Sequence, residues 1–435
     1  MFNRHGDRVW EIHNLEKTSF LQREDPNHSG DWIARQINDG AMDGFVSSYI
    51  ETRDDPAGAA EEFRSPVMGY FAAGQLPVYD YLAEHFCVCD HWFASVAGAT
   101  WPNRLYAAAG DSAGLTSNQT LWGLFDWPFY SLPTFVRYLD ATACSWRWYS
   151  AEPLDLSPPT IQLLDHKYRF ARGNNFALFD DEELVTGQPS FLQDAASGNL
   201  ANVCWIDPNF HTSILGVGRR GLQNDDHPPA DATEGQRLVG RIVNALMTGP
   251  KWETTMLIVV YDEHGGMFDH VAPPACEDDR TDFRRLGVRV PALLACPWIP
   301  ERSLAKLVFD HTSIIHTALA RFCPDAVNRM GSRVSSAQHL GTLLTLSEPR
   351  AAVGPAPDVP VTTYEGVEDS PSADQREEAQ RQTQAWLQAE VLRNLPGEQL
   401  IPEAPRPEAA AVNDLQFGLA AAIGELRALR SRQTP

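Results

Sequence analysis

No run of about eighteen apolar residues occurs in this 435-residue chain, so a membrane-spanning helix is not expected. The opening residues, MFNRHGDRVW, lack a basic region followed by an apolar one, and as they stand they carry no export signal. Positive charge is scarce: 35 Lys and Arg against 57 Asp and Glu give a formal net charge of −22. That balance argues against a nucleic-acid surface and against simple attraction to anionic lipid, while leaving room for a local basic pocket. Cysteine is sparse and odd in number, seven residues from Cys87 to Cys323. A disulfide framework is not expected; Cys204 and Cys296 stand in apolar runs where a reduced, buried thiol is usual, and Cys87-Val88-Cys89 is too isolated for a zinc site. A reducing cytoplasm is the expected compartment. No internal repeat is visible, no Gly-x-Gly-x-x-Gly is read directly after a strand, and a serine nucleophile elbow is not expected.

The composition is 43% apolar, ordinary for one large α/β domain with appendages. Residues 1–65 are polar and mixed, with a turn Asp25-Pro26-Asn27-His28 before a helical stretch at Trp32–Gln36. Helices are expected over 76–86, 105–110, 233–248 and 314–322. Apolar, strand-like runs stand at 86–93, 145–149, 201–207, 257–260 and 287–297. Strands alternating with helices indicate an α/β domain with a mainly parallel sheet. From about Ser347 the composition turns to Pro, Ala, Glu and Ser. This predicts a catalytic domain over 1–346 and, over 347–435, a linker with peripheral helices at 373–395 and 414–432.

Chemistry concentrates where apolar runs stop. The stretch LIVVYDEHGGMFDHVAPP, residues 257–274, passes from an apolar run of parallel-strand type into Asp262, Glu263 and His264, then Gly265-Gly266, with Asp269 and His270 close behind. Ligand sites of open α/β sheets lie beyond the carboxyl ends of the strands. Adjacent carboxylates there suit a divalent ion, and glycines allow a close backbone approach. A lone Asp-Glu reads equally as a solvated turn, so partners are needed. Residues 95–104, SVAGATWPNR, set small residues and Thr100 before a helix start, a place for a hydroxyl beside backbone N–H groups; Arg104, one turn on, faces the same anion. Thr100 also reads as a plain N-cap. His28, Asp207, His211, His227, Asp310 and His311 stand at other turns and strand ends. A hydroxyl drawn toward a metal ion becomes a nucleophile, and imidazoles hold phosphate oxygens or protonate a leaving alkoxide, so phosphoryl transfer needs this set of parts. A non-catalytic acidic metal-binding module is the competing reading. Trp92, Trp101, Trp146 and Trp148 read as core aromatics, with a choline or lipid pocket as the alternative.

These segments resemble the bacterial phosphoesterase family that contains phospholipase C enzymes and a group of acid phosphatases. The resemblance is carried by DPNH (25–28), LPVYDYLAEHFCVCDHWFASVAGATWPNRLY (76–106), DDHPPADATEGQRLV (225–239), KWETTMLIVVYDEHGGMFDHVAPP (251–274), GVRVPALLACPWIP (287–300) and DHTSIIHTAL (310–319). It implies an alkaline-phosphatase-like α/β sandwich, with a mainly parallel central sheet flanked by helices. Mapped onto matching positions, it implies Thr100 as nucleophile and metal ligand, and Asp262 and Glu263 as further ligands of one divalent metal ion. His28, His227 and, on a poorer local match, His211 would hold the phosphoryl group or assist the leaving group, with Asn103 and Arg104 at the substrate. The implied reaction is hydrolysis of a phosphate ester, above all phospholipase C cleavage of a phospholipid to diacylglycerol and a phosphorylated head group, through a phosphothreonine. An acid phosphatase-like phosphomonoesterase and an inactive paralogue acting as a binding protein remain alternatives. One departure stands out: the family's opening strand ends in a Glu-Asn-Arg-Ser-Phe-Asp-His type motif whose Glu and Asn bind metal, and nothing like it precedes DPNH. Asn3-Arg4 and Glu11–Asn14 are poor substitutes. The expectation is low activity for the chain from Met1, competence in an upstream-extended form, and export as a possibility for that form.

Overall fold

Short apolar runs alternate with helical stretches, and the computed structural model turns them into strands and helices in that order. It describes residues 1–15, 25–62, 64–118, 130–150, 160–168, 174–180, 188–210, 224–228 and 231–360. The chain opens on a hairpin, β1 (Phe2–His5) and β2 (Arg8–Glu11), then β3 (His13–Asn14), α1 (Gly30–Ile37), α2 (Phe45–Glu51), α3 (Pro56–Glu61) and β4 (Gly69–Tyr70). Next come α4 (Pro77–His85), β5 (Cys87–Cys89), α5 (Thr100–Ala109), α6 (Val136–Ala141), β6 (Trp146–Ser150), α7 (Thr160–Leu164), β7 (Phe176–Leu178), α8 (Phe191–Ser197) and β8 (Val203–Asp207). The rest is α9 (Ala232–Thr248), β9 (Leu257–Val260), β10 (Ala292–Ala295), β11 (Ser303–Ala305), α10 (Thr312–Phe322) and α11 (Ser332–Ser336). Local chemistry sets several boundaries. Pro77 opens α4, the Asp231 carboxylate accepts from Thr233 N at the start of α9, and Gly110, at φ +73°, closes α5.

The α/β class is as expected. The described strands form four small sheets of mixed direction. In the three-stranded sheet β7-β6-β8 all neighbours are parallel. In the four-stranded sheet β11-β5-β10-β9, β10 runs antiparallel to both β5 and β9. The run at 257–260, expected as a buried parallel strand, is therefore an edge strand whose single partner is antiparallel, with Val260 opposite Ala292. All four of its residues are half-buried, as are Val203–Ile206 of β8. Period-two alternation reports which faces are apolar and says nothing of a neighbour's direction.

Two helical layers cover the sheets. On one face, Val243 and Leu246 of α9 pack with Tyr149, Ala177 and Ala295 in a cluster that also takes in Cys204, Ile206, Leu257 and Val259. On the other, Ile315 and Leu319 of α10 pack with Trp146, Trp148, Val203 and Trp205, and Ile314 joins Ile258 and Val260. Each aliphatic side chain so buried contributes about 1.5–3 kcal/mol. The N-terminal stretch, read as merely polar, instead has a core of its own around Trp10, Ile33 and Phe45, with the buried Asn3 amide donating to Met42 O at 3.2 Å and accepting from Phe45 N at 2.9 Å. Beyond Ser347 the chain stays on α9: Asn244 and Ala356 exchange hydrogen bonds of 3.2 and 2.8 Å, and Val353 and Val359 pack nearby. The helices expected at 373–395 and 414–432 lie outside the described residues. Among the described residues no helix is long and apolar enough to cross a membrane.

Candidate active site

Most of the expected site residues border one cavity of about 1650 Å³: Asp25, His28, Thr100, Arg104, His227, Asp262 and Glu263. His211 lies outside the described residues, as does the glycine-rich 216–221. Thr100 is the first residue of α5, and Ala99, not Thr100, is the N-cap; no capping hydrogen bond uses a side chain there. The hydroxyl is therefore carried on a helix N-terminus instead of being spent on it. Asn103 explains how the preceding turn is held. Fully buried, it accepts from Val96 N (3.1 Å) and donates to the carbonyls of Val96, Gly98 and Ala99 (3.3, 2.8 and 3.2 Å). Its amide is thus taken up by the 96–99 turn that precedes Thr100.

Arg104 borders the cavity and is held by carboxylates. Its Nε donates to Asp262 Oδ2 at 2.6 Å, Nη1 lies 3.7 Å from Asp207 Oδ1, and the guanidinium stacks 4.6 Å over the Phe210 ring. Burial works against its charge, but Asp262 and Asp207 outweigh this and raise its pKa. Arg104 thus joins the carboxyl ends of β8 and β9 through their terminal carboxylates. Asp207 is itself buried and receives Trp148 Nε1 (2.5 Å), Thr160 N (2.7 Å) and the Thr160 hydroxyl (2.8 Å). His311 receives Trp92 Nε1 at its Nδ1 (3.3 Å) and donates from Nε2 to the Asp262 carbonyl (2.7 Å); burial lowers its pKa, outweighing Asp310 and the bond to the Asp262 carbonyl, which raise it.

Glu263 is buried, with Oε2 accepting from Gly265 N at 2.6 Å. Burial raises its pKa, opposed by His28 and reinforced by the neighbouring Asp262 charge. His28 and His227 face each other edge to face, ring centroids 5.2 Å apart, and their Nδ1 atoms meet the carbonyls of Pro26 (2.9 Å) and Pro228 (2.7 Å). Asp25 lies 3.6 Å from one and 3.8 Å from the other. Burial would hold the His227 ring down; Asp25, Asp225 and Glu263 outweigh it and push its pKa up to about 9. The His28 pKa is raised in the same way, by Glu263 and Asp25 against burial. The turn carrying His227 is fixed by Asp226, gripped by the Tyr79 and Tyr261 hydroxyls (2.5 and 2.6 Å). His264, by contrast, is buried against Gln36, 2.9 Å away, and burial pushes its pKa down to about 3, so it is structural. His270 is exposed, with Nδ1 3.5 Å from Asp269 Oδ1.

The donor set fits a divalent ion. Two adjacent carboxylates, one with its charge disfavoured by burial, ask for a cation; and ligand atoms of Asp25, His28 and His227 lie within 4.8 Å of one another. Asp25 had been read as turn punctuation. Its signal was present in Asp25-Pro26-Asn27-His28 but needed His227, about two hundred residues away, to become legible. Gly265 and Gly266 have φ of +63° and +71°, and a Cβ on Gly266 would lie 2.8 Å from Pro26 Cβ and 3.0 Å from Asn27 O. The close approach that Gly266 allows is thus to the Asp25–His28 turn. Gly266→Ala should destabilise the protein by about 1–2 kcal/mol from backbone handedness alone, with more from the clash; urea unfolding measures it, and an unchanged midpoint would contradict this packing.

The expected lack of a serine nucleophile elbow meets one local match: Gly110-Asp111-Ser112-Ala113-Gly114 fits Gly-x-Ser-x-Gly, but it follows the helix α5 instead of a strand, and Ser112 is fully buried with its hydroxyl donated to Leu115 O at 2.8 Å. It is a helix-terminating turn, not an elbow. Of the four tryptophans, Trp92, Trp146 and Trp148 are core, whereas Trp101 borders the cavity.

The Phosphoesterase family model matches residues 6–323. Non-specific phospholipase C5 of Arabidopsis thaliana is 34% identical over 247 residues, 54% of this chain and 43% of its own length. Non-specific phospholipase C4 of the same plant is 31% identical over 352 residues, covering 75% of this chain and 61% of its own. Phospholipase C B of Mycobacterium tuberculosis is 28% identical over 327 residues, 68% of this chain and 59% of its own. The chain therefore spans about half the length of the curated relatives it matches.

Proposed function

The chain belongs to the Phosphoesterase family, and on that premise we propose that it hydrolyses phosphate esters with a divalent metal ion, in the manner of a phospholipase C acting on a phospholipid. The observation that carries this reading is the convergence of Thr100, Asp262, Glu263, His28 and His227 on one cavity at the end of β9; relatives named as phospholipases C support the substrate class. Asp262, Glu263 and the Thr100 hydroxyl would hold the ion, whose positive charge lowers the hydroxyl's pKa and screens the phosphate. The Thr100 oxygen, its proton given up to solvent, attacks phosphorus, the bond to the leaving diacylglycerol oxygen breaks, and a protonated imidazole, His227 or His28, supplies that oxygen with its proton. Water, losing a proton to the now neutral imidazole, then attacks the phosphothreonine, releasing the phosphorylated head group, and the Thr100 oxygen regains its proton from solvent. Arg104 keeps Asp262 in place and balances its charge, and Asn103 holds the turn that presents Thr100. The core is read as an alkaline-phosphatase-like sandwich whose parallel part is the sheet around β6. Free thiols at all seven cysteines support a reducing compartment.

A phosphodiester and a phosphomonoester, each assayed with metal and with a chelator, test the reading. Metal-dependent cleavage of the diester is expected, and preference for the monoester would favour a phosphatase. Since the His227 pKa is raised to about 9, its proton is present at neutral pH and lost as pH rises through about 9, so kcat/KM should fall there. Cleavage of neither ester, or full turnover in chelator, would contradict the proposal.

A further inference from the structure

Arg333, on α11, is 3% exposed, and no step of the hydrolysis uses it. Its guanidinium donates to three acceptors: Nε to Asp278 Oδ2 (3.1 Å), Nη1 to Asp310 Oδ2 (3.1 Å) and Nη2 to the Phe283 carbonyl (2.7 Å). Both carboxylates are buried as well. Charges so far from water need such partners, and losing one leaves the others stranded. The planar fork also fixes direction, so Asp278 and Asp310 hold set positions about one group.

Each carboxylate leads to the active site by its own path. On one side, Tyr106 donates its hydroxyl to Asp278 Oδ2 at 2.9 Å, and its ring lies 5.0 Å from the guanidinium. Tyr106 stands on α5, whose first residue is Thr100. On the other side, Asp310 Oδ1 accepts from Thr312 N (3.0 Å) and from the Thr312 hydroxyl (2.5 Å), which fixes the turn carrying His311 at the start of α10. His311 N donates to Ser95 Oγ at 3.1 Å, just ahead of the 96–99 turn, while its Nε2 donates to the Asp262 carbonyl at 2.7 Å. Trp92 Nε1, donating to Nδ1, holds the ring in that tautomer. Two separate chains of contacts thus run from one guanidinium to Thr100 and to Asp262.

We propose that Arg333 is a positioning residue: through Asp278 and Tyr106 it holds the helix that carries Thr100, through Asp310 and His311 it holds Asp262, and so it sets the spacing of the two across the cavity. This rests on the reading that Thr100 attacks phosphorus and Asp262 binds the ion. An attacking oxygen works at contact distance, and a shift near 1 Å costs about 100-fold in rate. The effect falls on kcat, because Arg333 lies behind the site and touches no substrate. Lysine keeps the charge but not the fork, and one ammonium on a flexible stem cannot hold both carboxylates in place.

Two measurements on the whole chain test this. The first needs neither substrate nor metal: amide exchange, read by mass spectrometry, over 261–267, where Tyr261 N is bonded to Pro291 O and Met267 N to His264 O. In Arg333→Lys this stretch should exchange about 10-fold faster relative to α9. The second is cleavage of a soluble phosphodiester. In Arg333→Lys, kcat per folded molecule should fall roughly 30- to 100-fold with KM within about twofold, and Tyr106→Phe, which keeps the ring and breaks only the arm to α5, should lower kcat about 10-fold. A merely structural arginine would reduce the folded fraction and leave kcat per folded molecule intact. Unchanged exchange over 261–267, or unchanged kcat in both variants, overturns the proposal. Absence of turnover in the parent protein counts against hydrolysis alone, and the exchange measurement then decides. Should Arg333→Lys fail to fold, Tyr106→Phe decides by kcat and by exchange over 96–103, where no change in either overturns the proposal.

Discussion

Thr100→Ala should lower phosphodiester turnover by roughly 10⁴- to 10⁶-fold, the loss met when a covalent nucleophile is removed, with stability unchanged within about 0.5 kcal/mol. The two halves of that expectation separate because the Thr100 hydroxyl caps nothing in α5, while the turn before it is held by the Asn103 amide. Removing the hydroxyl leaves the scaffold intact. Thr100→Ser keeps the attacking atom and should recover much of the rate, which a merely structural threonine would not predict. The comparison is read alongside thermal melts of each variant.

The second large effect concerns Glu263. Chelation should reduce turnover by on the order of 10³-fold or more, the equivalent of several kcal/mol of charge stabilisation. Glu263→Gln keeps the side chain's shape and its acceptor for Gly265 N, so the turn should survive. It removes a buried charge whose pKa is already raised by burial, so stability should hold or rise, while metal affinity should fall at least about 10- to 100-fold. Activity titrated against metal concentration, paired with calorimetric metal binding, reads both. Unchanged metal dependence in Glu263→Gln would remove Glu263 from the ligand set. Asp262→Asn is a harsher change, because it takes from the buried Arg104 the carboxylate at 2.6 Å and leaves Asp207 at 3.7 Å.

Much of this arrangement was legible in the sequence because it is local. The strand at 257–260 and the helix over 232–248 fall where periodicity and caps put them, and Asp262, Glu263 and Thr100 follow from strand ends and a helix start. What escaped is non-local. Nothing near Arg104 says that its partners are Asp207 and Asp262, and nothing near Asp25 says that His227 packs beside it. The setting of Asn103 is non-local in the same way: nothing near it in the sequence shows that the carbonyls of Val96, Gly98 and Ala99 take up its amide. Strand direction is hidden too, since β9 has the composition of a central parallel strand and lacks a described neighbour on one side.

The central claim, that Thr100 carries the phosphoryl group, is tested most directly by rapid acid quench of the enzyme turning over a labelled phosphodiester, followed by peptide mapping. The account predicts one phosphate, on the peptide containing Thr100, which forms before steady-state product and is absent in Thr100→Ala. Full turnover with no covalent phosphate, or with the label on another residue, would contradict it.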